Sequence, residues 1–226
     1  VEDSSLSSSN VKLTMGSMGS ITVGNGTGGI GASYDSVVPT AYEENHDGMS
    51  TSTAIDNMGA LLGNGGIDYR SPSFDVGGAT ASFKYNFTPE ASGTAVGEGG
   101  VAGSHDSLAS GQALGIDVSM GGISVGAYGA EIDVDSLGAP TAPATGRSVE
   151  SSFDGTWYAK YNAGPFSVGY QLGYLDRGLK AAATAATATK TVAAAGGHFE
   201  TESMSVAFNV NENFSISWAE LTETYD

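Results

Sequence analysis

Hydrophobic and polar positions alternate strictly along much of this chain, most clearly from Gly155 to Gly178, GTWYAKYNAGPFSVGYQLGYLDRG. Trp157, Ala159 and Tyr161 fall on one side of a first strand, and Thr156, Tyr158, Lys160 and Asn162 on the other. After a very short turn, Phe166, Val168, Tyr170, Leu172 and Tyr174 share a face, opposite Ser167, Gly169, Gln171 and Gly173. Period-two alternation marks a strand with unlike environments on its two sides. One side here is oily and aromatic, the other small and hydrophilic.

The same pattern recurs along the chain. Val11, Leu13 and Met15 alternate with Lys12 and Thr14, GSMG turns the chain, and Ile21 and Val23 follow. A long connection, Gly24 to Gly65, has glycine-rich ends and an acidic centre; loops of that length are uncommon and usually functional. Ile67 and Tyr69 lead through a turn at Asp75 to Gly78 into Ala79, Ala81, Phe83, Tyr85 and Phe87. Thr88 to Gly111 reads as a second long connection. Leu114 to Met120 and Ile123 to Ala127 flank Gly121-Gly122, a two-residue turn of the kind hairpins favour. A loop with Pro140 and Pro143 precedes the Gly155 hairpin, and Leu179 to Gly197, rich in Ala and Thr, reads as an exposed loop. Met204 to Val210 and Phe214 to Trp218 form the last pair, around Asn211-Glu212-Asn213. The pattern predicts about ten strands in five hairpins, with connections alternately short and long.

An oily strand face can meet a second sheet in a soluble sandwich, or lipid in an outer-membrane barrel. A soluble edge usually carries many Lys and Glu on its wet face, whereas these wet faces carry Gly, Ser and Gln. Grouping every long loop at one end is a habit of barrels with short periplasmic turns and long extracellular loops. The expected fold is therefore an all-β, antiparallel transmembrane β-barrel. Phe166, Tyr161 and Phe214 beside the short turns would belong to an aromatic girdle with Trp157, Tyr174 and Trp218, and Tyr69, Tyr174 and Trp218 are expected toward the long-loop end. In a sandwich the same residues would be core.

Composition sharpens this picture. The 226 residues suit one β domain, and 34 Gly with 15% charged residues fit a turn-rich sheet. With no Cys, disulfide scaffolds and thiolate metal sites are excluded. A net charge of −17 with only eight Lys and Arg argues against nucleic acid. No run of about 18 apolar residues offers a transmembrane helix, which says nothing against strands. VEDSSLSSSN shows no signal-peptide pattern.

Weaker motifs do not add up to a site. Gly24 to Gly29 fits GxGxxG but lacks the helix and βαβ unit a dinucleotide needs. Gly63 to Asp68 resembles a single calcium-binding nonapeptide repeat. His46, His105 and His198 read as loop residues without ligand spacing, and no Ser, His and Asp converge for catalysis. Asn25, Asn86 and Asn213 start N-x-[ST] triplets of the sort chance produces in such a composition. No enzyme activity, cofactor or metal is expected.

Gly16–Asn25, GSMGSITVGN, with the long loop after it, and Ile67–Tyr85, IDYRSPSFDVGGATASFKY, resemble the general porins of Gram-negative bacteria, particularly of alphaproteobacteria. The first looks like the strand leading into that family's inward-folded constriction loop, and the second like the strand and hairpin that follow it. The resemblance implies a closed barrel of about sixteen strands, usually a homotrimer, among outer-membrane lipid and lipopolysaccharide, conducting small hydrophilic solutes and ions by diffusion. About ten visible strands and the ending LTETYD, without a final aromatic residue, depart from that pattern, so residues 1–226 are expected to be one incomplete barrel, the alternative being a complete ten-strand barrel whose lumen side chains or the long loop would fill. Residues 24–65 would be the constriction loop. Its acids Asp35, Glu43, Glu44 and Asp47 would face the wall cations Lys12, Arg70, Lys84 and Lys160 across a narrow water column. A substrate-preferring channel on the same fold is one rival; a secreted or surface-exposed all-β adhesin or surface-layer protein is another.

Overall fold

The computed structural model describes residues 9–25, 30–41, 66–88, 108–134, 151–176 and 198–225. Their strands are β1 (Ser9–Thr14), β2 (Ser20–Asn25), β3 (Gly66–Arg70), β4 (Phe74–Val76), β5 (Ala79–Thr88), β6 (Leu108–Met120), β7 (Ile123–Val134), β8 (Ser152–Ala163), β9 (Phe166–Asp176), β10 (His198–Asn211) and β11 (Phe214–Tyr225). All belong to one antiparallel sheet in the order β1-β2-β3-β5-β6-β7-β8-β9-β10-β11, with the short β4 paired to β5 off that path.

Two expectations change. The stretch before Ala79, read as a turn, contains β4, so the described sheet has eleven strands rather than about ten. More importantly, the sheet is not a closed barrel: the path begins at β1 and ends at β11, and no ladder joins these two strands. The physical reason for the mistaken inference is that alternation records the two faces of a strand. An open sheet and a closed one produce the same alternation, because closure depends on whether the edge strands pair, which side-chain pattern does not encode.

The turns follow local chemistry. Gly121 (φ 59°) and Gly164 (φ 61°) hold the left-handed conformations needed between β6 and β7 and between β8 and β9. The chain order places the short turns at one end of the sheet. Leu108–Gly111, expected in a loop, already belongs to β6, and His198 opens β10.

The two faces are packed in the reverse of a soluble arrangement. The oily face is open: Leu114, Ile116, Val125, Trp157, Val168, Val206, Ile216 and Trp218 are each more than 40% exposed. Cross-strand contacts such as Phe166 with Phe208, ring centroids 4.4 Å apart, and Trp157 with Tyr170 at 5.7 Å stay within that layer. Among the described residues no second sheet covers it, so these side chains are not a sandwich core. Burial occurs instead on the small, polar face, at Ala113, Tyr128, Ala130, Asp154, Thr156, Tyr158, Gln171, Ser203 and Ser205.

The open edges carry a measurable consequence. Outward-pointing amides of β1 and β11 should exchange with solvent far faster than amides of β8, which pairs on both sides. Residue-resolved hydrogen exchange on detergent-solubilised protein checks this; protection in β1 and β11 equal to that in β8 would contradict the open sheet.

Candidate functional site

The polar face carries a segment that is not a strand. Residues 30–41 start with a single 3-10 turn, Gly31–Ser33, then cross the sheet from the middle strands toward β11. Ile30 and Tyr34 pack with Ala113 of β6, Tyr128, Ala130 and Ile132 of β7 and Tyr158 of β8. Further on, the backbone is held strand by strand. The Gln171 amide of β9 donates to the carbonyls of Tyr34 (2.7 Å) and Asp35 (3.1 Å), and its Oε1 accepts from the Val37 N–H (3.1 Å). Ser205 of β10 donates to the Pro39 carbonyl (2.6 Å), and Ser217 of β11 accepts from the Ala41 N–H (2.9 Å). A glutamine suits the central position because one side chain offers both donors and an acceptor, satisfying three backbone groups that burial would otherwise strand.

Space for this crossing comes from missing side chains. A Cβ at Gly115 would overlap the Tyr34 ring, and one at Gly169 would overlap the Pro39 ring. These two glycines act as sockets. They sit on the polar face in the same alternation as the residues flanking them.

Tyr34 enters a charged node. Its hydroxyl donates to Asp117 Oδ2 (2.8 Å), Tyr158 donates to Asp117 Oδ1 (2.8 Å), and Lys84 Nζ lies 2.9 Å from Asp117 Oδ2. Lys84 also reaches the Tyr34 hydroxyl at 3.4 Å and lies 4.5 Å from the centre of its ring. Three donors from β5, β8 and the crossing segment therefore converge on one carboxylate of β6. Hydrogen bonds to a charged group contribute about 1.5–3 kcal/mol each, so the node is a strong tether. Gly126 leaves room for it: a Cβ there would run into the Tyr158 ring and Asp117. Burial first, then the hydrogen bond to Asp117 and its negative charge, push the Tyr34 phenol well above its ordinary range.

Of the acids expected in a narrowing, Asp35 lies in the crossing segment, while Glu43, Glu44 and Asp47 fall outside the described residues. Arg70 and Lys84 are register partners on β3 and β5, and Lys12 lies on the same face of β1. Lys160 stands apart on β8, its Nζ 5.1 Å from the Tyr158 ring centre. Trp157, Tyr161, Phe166, Phe214 and Trp218 are exposed on the oily face, and Tyr174 of β9 is half-buried, stacked on His198 at 4.8 Å. Tyr161, Val168, Val206 and Trp218 form one cross-strand row, and Tyr69 donates to the Met18 carbonyl (2.9 Å). Trp218 and Tyr69 thus lie toward the short turns, not the long connections, because strand direction reverses with each hairpin.

Sequence reasoning missed the node itself. Asp117 was visible as an acid on the small face of a strand, and Lys84 as a cation on another, but their meeting depends on the β5–β6 register. Tyr34 gave no signal, lying in a loop without periodicity.

Two outcomes follow from this seat. Tyr34 is an acid whose folded-state pKa lies above its unfolded value of about 10, so its contribution is intact below that pH and is lost as pH rises past it. Tyr34→Phe should flatten the fall in stability above about pH 10, read by thermal melts across pH; an unchanged slope would contradict the buried phenol. Gly115→Val should unseat Tyr34 and speed proteolysis of residues 30–41 several-fold while the strand signal in circular dichroism persists. Unchanged cleavage would contradict the socket.

No protein-family model matches this sequence, and no curated protein matches it. Among solved structures it is similar to a porin refined at 1.8 Å resolution, with a TM-score of 0.54 and 18% identity over 96% of this chain and 65% of that one. At that identity the likeness is one of fold. The chain spans 65% of the length of the porin chain it matches.

Proposed function

We propose that this chain works in a bacterial outer membrane, with its oily face against lipid and its polar face against a water-filled passage for passive diffusion of small hydrophilic solutes and ions. The observation that carries this reading is the reversal of the faces: large apolar side chains are exposed across the sheet, while the small polar face holds the buried residues and the crossing segment. In water such a surface far exceeds the apolar patches that soluble monomers expose. In lipid it is the expected surface, and the 11 to 14 residues of β6 to β11 meet the length of about 9–11 that a tilted spanning strand needs. The distant likeness to a porin fold supports the same direction.

In this reading Asp35, Glu43, Glu44 and Asp47 supply negative charge to the passage, and Lys12, Arg70 and Lys160 supply positive charge on the strands, Lys84 being already paired with Asp117. A transverse field between them orients polar solutes and sets ion preference without any bond chemistry. Trp157, Tyr161, Phe166, Tyr174, Phe214 and Trp218 serve as interfacial aromatics beside lipid and lipopolysaccharide. A homotrimer belongs to the same reading, from the general porins that the sequence resembles. A surface adhesin with a soluble core fits less well, because its core would have to be the exposed face.

Detergent-extracted native protein in a planar bilayer should give stable ohmic steps with a mild cation preference, and Glu43→Gln with Glu44→Gln should weaken that preference. A protein that stays dispersed without detergent and never conducts would sink this reading.

A further inference from the structure

The hydroxyl groups of the polar face fall into two sets with different employment. Those beneath the crossing segment are engaged: Ser205 and Ser217 hold its backbone, and Thr156 donates to the Leu172 carbonyl (2.7 Å) while accepting from Gln171 (3.1 Å). Toward the short turns of β5, β6 and β7 a second set lines a cavity of about 230 Å³. Thr80, Ser82, Ser119 and Ser124 stand there with Asp117 and Tyr158. Among the described residues, none of those four hydroxyls makes a hydrogen bond to the protein.

The register arranges them in two rows. Thr80 pairs with Ser119, and Ser119 with Ser124; one step along the strands, Ser82 pairs with Asp117, Asp117 with Gly126, and Gly126 with Tyr158. Neighbours in a row stand about 5 Å apart and the rows about 7 Å. Gly126 leaves the second row notched between the carboxylate and the phenol.

From this arrangement we propose that the cavity is a weak binding site for a small neutral polyhydroxylated solute, a sugar or polyol of monosaccharide size. Serine and threonine hydroxyls each donate and accept, which matches a ligand whose every group does the same. Asp117 takes three donors from the protein, and a carboxylate has about four lone-pair positions, so one remains for a ligand hydroxyl. Lys84 already balances its charge, which removes the attraction for a cation. A cavity of about 230 Å³ has room for one small ring. Within a passage a site of this kind must be weak, because a solute that enters must also leave. Its role in transport rests on the function proposed above; the binding does not.

Saturation-transfer NMR with glucose on the detergent-solubilised full chain, in a detergent without a sugar headgroup, tests the site directly. Saturable transfer with a dissociation constant on the order of millimolar is expected. Ser119→Ala with Ser124→Ala should weaken it roughly tenfold, while Thr222→Ala on the opposite face of β11 leaves it unchanged. Absence of saturable transfer, equal transfer in the double variant, or competition by inorganic phosphate would overturn the proposal. Bilayer recordings on the same samples separate the two claims. Glucose binding without any conductance would remove the passage and leave the site, and conductance without glucose binding would remove the site alone.

Discussion

Three donors meeting on the Asp117 carboxylate fix the relation between the sheet and everything laid on it. Lys84, Tyr158 and Tyr34 come from β5, β8 and the crossing segment, far apart in sequence, and each loses its best partner if Asp117 is removed. A partly buried carboxylate without donors would be expensive, and so would a buried phenol or ammonium without an acceptor. The groups therefore hold each other in place. Because Tyr34 is fixed there, the following residues are aimed across β9, β10 and β11, where Gln171, Ser205 and Ser217 meet the backbone in turn.

That seat gives the sheet its unusual division of labour. A sheet with one oily and one polar face normally buries the oily one. Here the polar face does the intramolecular packing, with an apolar minority of Ile30, Tyr34 and Val38 on the crossing segment supplying contacts over small residues. Internal burial is correspondingly small. The exposed apolar belt then stands as the larger unsatisfied term in water, and in the proposed setting immersion in hydrocarbon would remove it.

How much of this could be read from the sequence differs by feature. The strands were legible because alternation is local: Trp157 against Tyr158, or Phe166 against Ser167, records opposite sides whatever the sheet does next. Which face is oily was legible for the same reason. Closure was not, since it depends on whether Ser9–Thr14 and Phe214–Tyr225 pair, and neither strand's side chains specify that. The node was illegible for a related reason. Asp117 and Lys84 meet through register, and Tyr34 reaches them through space, so only the charged residue types were visible. The brief strand Phe74–Val76 was hidden by Gly77 and Gly78, whose turn signal dominates so short a stretch.

The placement of charge gives the proposed passage a lateral rather than a facing geometry. Lys12, Arg70 and Lys84 lie on β1, β3 and β5, while residues 30–41 cover part of the face from β6 to β11. Lys84 is held at the boundary by Asp117 and the Tyr34 ring, so its ammonium is largely neutralised where it stands. Asp35 of the crossing segment and the cations of β1 and β3 share the polar side of the sheet. A field running along the sheet, from β3 toward the crossing segment, would turn a dipolar solute parallel to the wall as it passes. In the proposed passage, charge along this polar surface would bias ions, and the hydroxyls of Thr80, Ser82, Ser119 and Ser124 would be left to solutes that carry no charge.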